Sequence, residues 1–165
     1  MKQEESYPMN IWAFSHARPA AASIMAAATV LILCAAVSLQ EVCIERVGGS
    51  EFTLELRSAR EVPVGEETSV QVLLKARKSW HINPVYPSSL VVTTGKGLSL
   101  HREQFSMKDA ELSGRDELVF DVNMTPIRAG GHEIRMSLDF GLCEGRRCIV
   151  QTTAATISFA AGGKS

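Results

Sequence analysis

From Glu51 onward the sequence predicts an all-β domain, an antiparallel β-sandwich, and three observations carry that expectation. Short runs alternate apolar and polar residues with period two, the signature of half-buried strands. Clusters of Gly, Pro, Asn, Asp and Ser interrupt these runs at the frequency expected of about seven or eight short strands. After Leu39 no stretch carries the 3.6-residue periodicity of an amphipathic helix. A closed barrel satisfies the same pattern and stays open at this level.

In chain order, Phe52-Thr53-Leu54-Glu55-Leu56 is the first strand expected, and Pro63-Val64-Gly65-Glu66-Glu67 is turn material. Ser69 to Ala76 follows, with Val70, Val72 and Leu74 in phase. In Ser79-Trp80-His81-Ile82-Asn83-Pro84-Val85-Tyr86-Pro87 the two prolines forbid a central strand, so an extended loop is expected. Leu90 to Thr94 reads as a short strand, and Gly95-Lys96-Gly97 turns the chain into Leu98-Ser99-Leu100. Phe105 to Arg115 is polar and irregular and is expected to be a loop. Leu118, Phe120, Val122 and Met124 alternate again, and Pro126 to Gly131 closes that strand.

The last two strands form a hairpin. His132 to Leu142 places Ile134, Met136, Leu138, Phe140 and Leu142 on one face, and Ile149 to Phe159 places Ile149, Ala155, Ile157 and Phe159 on one face. Between them lies Leu142-Cys143-Glu144-Gly145-Arg146-Arg147-Cys148-Ile149. Parity puts both Cys143 and Cys148 on the side away from the core. Facing residues on antiparallel strands have Cα atoms about 4.5 to 5.5 Å apart, inside the disulfide window, so a bridge is geometrically reasonable. Closing so short a loop stabilises by only about 2 kcal/mol. Arg146 and Arg147 are expected to favour a thiolate, with Glu144 opposing them, so an exchange-competent pair is preferred to a plain surface staple.

The 165-residue chain carries a formal charge of -1, which gives no electrostatic argument for binding nucleic acid. Its four cysteines are Cys34, Cys43, Cys143 and Cys148. Without further His or Cys pairing they do not make a zinc site, and no metal ligand is assigned.

Residues 1–38 are expected to be a signal peptide or an N-terminal membrane anchor. The uncharged, alanine-rich run from Pro19 to Leu39 ends in Ala36-Val37-Ser38, a small-x-small pattern, and its length suffices to cross a bilayer once if it is retained. A lipoprotein signal is disfavoured because the large Leu33 precedes Cys34. Residues 39–50 read as a leader in which Cys43 is the odd thiol, and residues 51–160 as the folded domain.

Ser79-Trp80-His81-Ile82-Asn83-Pro84, followed by Phe140-Gly141-Leu142-Cys143-Glu144-Gly145-Arg146-Arg147-Cys148, resembles the N-terminal periplasmic domain of the thiol:disulfide interchange protein DsbD. The resemblance runs from about Val62 to Phe159. It implies an immunoglobulin-like sandwich with one redox-active pair, Cys143 and Cys148, exchanging through a mixed disulfide with Cys148 as the attacking sulfur. It also implies thioredoxin-like periplasmic partners, a cell-envelope location and no bound cofactor. Members of that family continue into a membrane domain, so a separate membrane electron donor is expected here. Ile149-Val150-Gln151-Thr152 departs from the prolines and the aromatic or leucine that often follow the second cysteine in the family. Tyr86 and Phe105 are the candidates for the aromatic cap that shields the family's disulfide.

Other residues carry less. Trp80 is expected in the core, His81 as a hydrogen-bonded loop residue, and His101 and His132 at the surface. Asp109, Glu111, Asp116 and Glu117 read as a solvated loop. Gly95-Lys96-Gly97 lacks the strand-to-helix context of a phosphate loop. The expected function is thiol-disulfide exchange. Its rival is a non-catalytic binding or adaptor module of the envelope, with Cys143 and Cys148 as a permanent staple. A third reading is a membrane-anchored structural subunit held by Pro19 to Leu39.

Overall fold

In the computed structural model, residues 41–163 are described. The signal or anchor segment, and with it Cys34, lies outside the described residues. The chain runs through β1 (Val42–Gly48), β2 (Phe52–Ala59), β3 (Glu61–Pro63), β4 (Thr68–Ala76), β5 (His81–Ile82) and β6 (Ser89–Thr94). It continues through β7 (Leu98–Leu100), β8 (Gln104–Ser106), a 3-10 turn (Met107–Asp109), β9 (Glu111–Ser113), β10 (Glu117–Pro126), β11 (Gly130–Glu144) and β12 (Arg147–Gly162).

These strands form two six-stranded sheets. One has the order β1-β2-β4-β10-β7, with β9 beside β10; the other has the order β3-β12-β11-β6-β8, with β5 beside β11. Pairing is antiparallel except for the short parallel contact of β3 with β12. In chain order β1 and β2 lie in the first sheet, β3 in the second, β4 in the first, β5 and β6 in the second, β7 in the first, β8 in the second, β9 and β10 in the first and β11 and β12 in the second, the interleaved connectivity of an immunoglobulin-like sandwich. The expected fold class stands, and the sandwich is preferred to the barrel.

The alternation read in the sequence is what fills the space between the sheets. Leu54, Leu56, Val70, Val72, Leu74, Leu118, Phe120, Val122 and Met124 face inward from the first sheet, and each is fully buried. Ile134, Leu138, Phe140, Leu142, Leu90 and Val92 meet them from the second. Aromatic rings tie the layers together edge to face: Phe52 meets Phe140 at 4.9 Å and Phe105 meets Phe120 at 6.4 Å between ring centroids.

Several local expectations give way to pairing partners that a single strand cannot display. The leader contains β1, which pairs with β2 along its whole length. Cys43 is a half-buried free thiol packed against the core. The segment expected to be a loop from Phe105 to Arg115 contains the end of β8, the 3-10 turn and β9, each element only three residues long, with β8 paired to the longer β6 and β9 to the longer β10. His132 is buried rather than at the surface: its Nε2 lies 2.8 Å from the Arg128 carbonyl oxygen and its ring rests 5.7 Å from Phe159. Both hairpin strands reach further than the alternation indicates, β11 from Gly130 and β12 to Gly162.

Candidate functional site

The cysteine hairpin is built by its register. Strands β11 and β12 pair continuously from Gly130↔Ala161 to Glu144↔Arg147, and the turn between them is Gly145-Arg146. Gly145 takes φ 59° while Arg146 stays outside the left-handed region, the combination of a type II′ turn, which calls for glycine at its first central position. Cys143 and Cys148 consequently stand directly opposite each other, Cα atoms 4.1 Å apart, and form a disulfide.

The two sulfurs do not share one environment. Cys148 is exposed on the outer face of β12, whereas Cys143 is buried, with 7% of its surface accessible. Parity alone places both on the outer face; what covers Cys143 is the segment expected to be a loop. Its residues His81–Ile82 become β5 and pair with β11 as Leu142↔Ile82 and Cys143↔His81. The Asn83 amide then donates to the Gly141 carbonyl at 2.9 Å, and the Ile82 amide donates to the Arg115 carbonyl at 2.8 Å, which moors the segment to β11 and to the turn between β9 and β10.

Gly141 is the residue that lets this segment come close. A Cβ placed there would lie 2.8 Å from Tyr86 Cβ and 2.9 Å from Tyr86 Cγ, closer than real Cβ atoms approach. Tyr86 therefore rests on β11 two residues before Cys143, on the same face, in the position of a cap beside the disulfide. Phe105, the other aromatic candidate, is buried against Phe120 in the core. The Val85 amide donates to Asn83 Oδ1 at 3.0 Å and the Ser88 amide to the Tyr86 carbonyl at 2.8 Å, so the capping loop holds its own turn.

The charges around the hairpin tip are arranged differently from the expectation. Arg147 is not turned toward the sulfurs: its guanidinium lies over the Trp80 ring, 5.5 Å from the centroid, a cation–π contact. Its partner in register, Glu144, accepts a hydrogen bond from Ser79 Oγ. On the same rim the Glu51 carboxyl is held below its ordinary value, chiefly by a hydrogen bond from the Ser50 side chain, with smaller help from Arg147 and Lys78. The Ser79–Trp80 pair thus clamps the residues flanking the disulfide, while the disulfide faces the other side of the strand pair.

Trp80 is buried, as expected, and His101 is exposed. His81 stands in the row with the two cysteines, a placement that neither the composition nor the spacing of its neighbours indicates. Gly141 was equally invisible as a site residue, although a glycine inside an alternating strand is itself a signal of close approach. Among the described residues no group of three or more His, Cys, Asp or Glu could hold a metal ion, and no helix is long and apolar enough to cross a membrane.

No family model and no curated protein matches the sequence. Among solved structures the chain is similar to the GAE domain of GGA2p from Saccharomyces cerevisiae, with 11% identity and a TM-score of 0.43 over 70% of this chain and 97% of that one. It is similar to a cohesin module of a family 33 glycoside hydrolase from Clostridium perfringens, with 11% identity and a TM-score of 0.46 over 70% and 100% of the two chains. It is also similar to AggA, the major subunit of aggregative adherence fimbriae type I from Escherichia coli, with 10% identity and a TM-score of 0.35 over 74% and 96%. Likenesses this distant carry no argument about activity or partners.

Proposed function

We propose that the chain is an exported thiol-disulfide exchange module, a relative of the N-terminal domain of DsbD, that cycles Cys143 and Cys148 between dithiol and disulfide. The observation that carries this reading is the unequal exposure of the two sulfurs, Cys148 open and Cys143 sheltered beneath the capping segment. Exchange proceeds by in-line attack of a thiolate on one sulfur of a disulfide, and access decides which sulfur is attacked. A partner thiolate reaching Cys148 would form the mixed disulfide there and leave Cys143 as the resolving thiol. Disulfides persist in oxidising compartments, which agrees with a cell-envelope location. The partners under this reading are thioredoxin-like envelope proteins and a separate membrane electron donor, and no cofactor is needed beyond the two sulfurs.

A second reading rests on the fold and the bond themselves, two sheets packed as a sandwich with a Cys143–Cys148 disulfide at one hairpin tip. An immunoglobulin-like sandwich stapled at one hairpin tip fits a binding or adaptor module of the envelope, with a permanent Cys143–Cys148 bond. It is the simpler of the two, since the fold and the bond meet its requirements.

Single-cysteine trapping separates the readings. Under exchange, Cys143→Ala, which leaves the exposed Cys148, accumulates a mixed disulfide with an oxidised thioredoxin-fold protein. Cys148→Ala, which leaves the buried Cys143, traps far less. Equal and slow reaction of both variants would favour the staple.

A further inference from the structure

The row that carries the disulfide has a third member. Strand β5 places His81 directly opposite Cys143, as β12 places Cys148 on its other side, so His81, Cys143 and Cys148 lie side by side across three adjacent strands. Directly opposed residues of an antiparallel pair share a face and have Cβ atoms about 4.5–5.5 Å apart, within reach of an imidazole and a sulfur. His81 is half-buried and Cys143 is buried, so bulk water has little access to take a proton from the Cys143 thiol. Burial also disfavours the charged thiolate that must attack or leave.

We infer that His81 is the acid–base group for the Cys143 sulfur in exchange, an assignment that rests on the exchange reading above. In the oxidising direction a partner disulfide has already been opened by the Cys148 thiolate, giving a Cys148–partner mixed disulfide. His81 then takes the proton of the Cys143 thiol, and the Cys143 sulfur attacks Cys148 Sγ. The Cys143–Cys148 bond forms, the Cys148–partner bond breaks, and the partner leaves as a thiolate. The dithiol is oxidised by two electrons and the partner disulfide is reduced by two. In the reverse direction the imidazolium returns its proton to the departing Cys143 sulfur.

The charged neighbours leave this task to the imidazole. Glu144 and Arg147 stand on the other side of the strand pair, held by Ser79 and Trp80. Arg115 contributes its carbonyl to Ile82, and Lys78 and Arg146 are exposed. Tyr86 sits on Gly141 on the same face as the row, and Asp139, further along that face of β11, accepts a hydrogen bond from Thr152 Oγ1 at 2.6 Å.

The test uses the full chain carrying Cys34→Ser and Cys43→Ser, reduced and mixed with the aromatic disulfide DTNB. Two equivalents of coloured thiolate are released, the first as Cys148 is capped and the second as Cys143 closes the ring. His81→Gln and His81→Ala are expected to slow the second phase at neutral pH by at least about tenfold. They leave the first phase within twofold, and an unchanged urea melt of each variant certifies the fold. Unchanged second phases, or equal slowing of both phases, overturn the role of His81 and leave exchange intact. A capped Cys148 that never releases the second equivalent in the unsubstituted protein overturns exchange, and His81 with it.

Discussion

Gly141 decides how the capping segment meets the disulfide. Its missing side chain is what lets Asn83 and Tyr86 lie against β11, so Gly141→Ala forces the Tyr86 Cβ and Cγ to shift. Overpacking of this kind destabilises by about 1–3 kcal/mol. Here it is expected also to lift the cap and quicken reduction of the bond by dithiothreitol; urea melts and a reduction time course on the variant would check both. Glu55 makes a second residue-scale case. On the outer face of the first sheet it is 8% exposed, and it accepts hydrogen bonds from Arg46 at 2.6 Å and from Arg57. Those two contacts, Arg46 foremost, hold its carboxyl below the ordinary 4.5. A lowered folded value means that the stabilisation is complete above that ordinary value and is lost as pH falls through the lowered one. Glu55→Gln should therefore flatten the fall in stability as pH drops below 4.5. Parallel stability–pH curves for the two proteins would remove Glu55 from the account.

At the scale of elements, the strands that alternate cleanly were legible and the short ones were not. The alternation of β4, β10 and β11 follows directly from which residues face the core, so period two locates them. Strands β5, β8 and β9 are two or three residues long and exist because a long neighbour offers free backbone groups, information absent from their own sequences. The same reason explains the site. The cysteine register was readable from hairpin parity, but the shelter over Cys143 and the row with His81 depend on β5 pairing, which joins segments about 60 residues apart in the chain. Arg147 was misplaced for a different cause: position beside a cysteine suggests influence on it, yet adjacent residues on a strand face opposite ways. Because β11 and β12 are already paired from end to end, the bond adds little to the hairpin. Replacing Cys143 and Cys148 together by Ala is expected to cost only about 2 kcal/mol, the chain-entropy value for so short a loop. A denaturant midpoint that drops by much more would mean that the bond organises the sandwich.

For the whole molecule, the sandwich class was predictable because many short alternating runs with no helical periodicity have few packing solutions. The connectivity of the two sheets, including the parallel contact of β3 with β12, was not, since it rests on which strands become neighbours. The consequence for function is that a rigid two-layer core, joined by Phe52–Phe140 and Phe105–Phe120, presents one hairpin tip with one open sulfur. The most direct test is the equilibrium reduction potential of the Cys143–Cys148 pair, measured on a chain that keeps β1 and carries Cys34→Ser and Cys43→Ser. The exchange account predicts a value between roughly -180 and -270 mV, the range of proteins that cycle. A value below about -300 mV would mark a structural bond and transfer the function to the binding module.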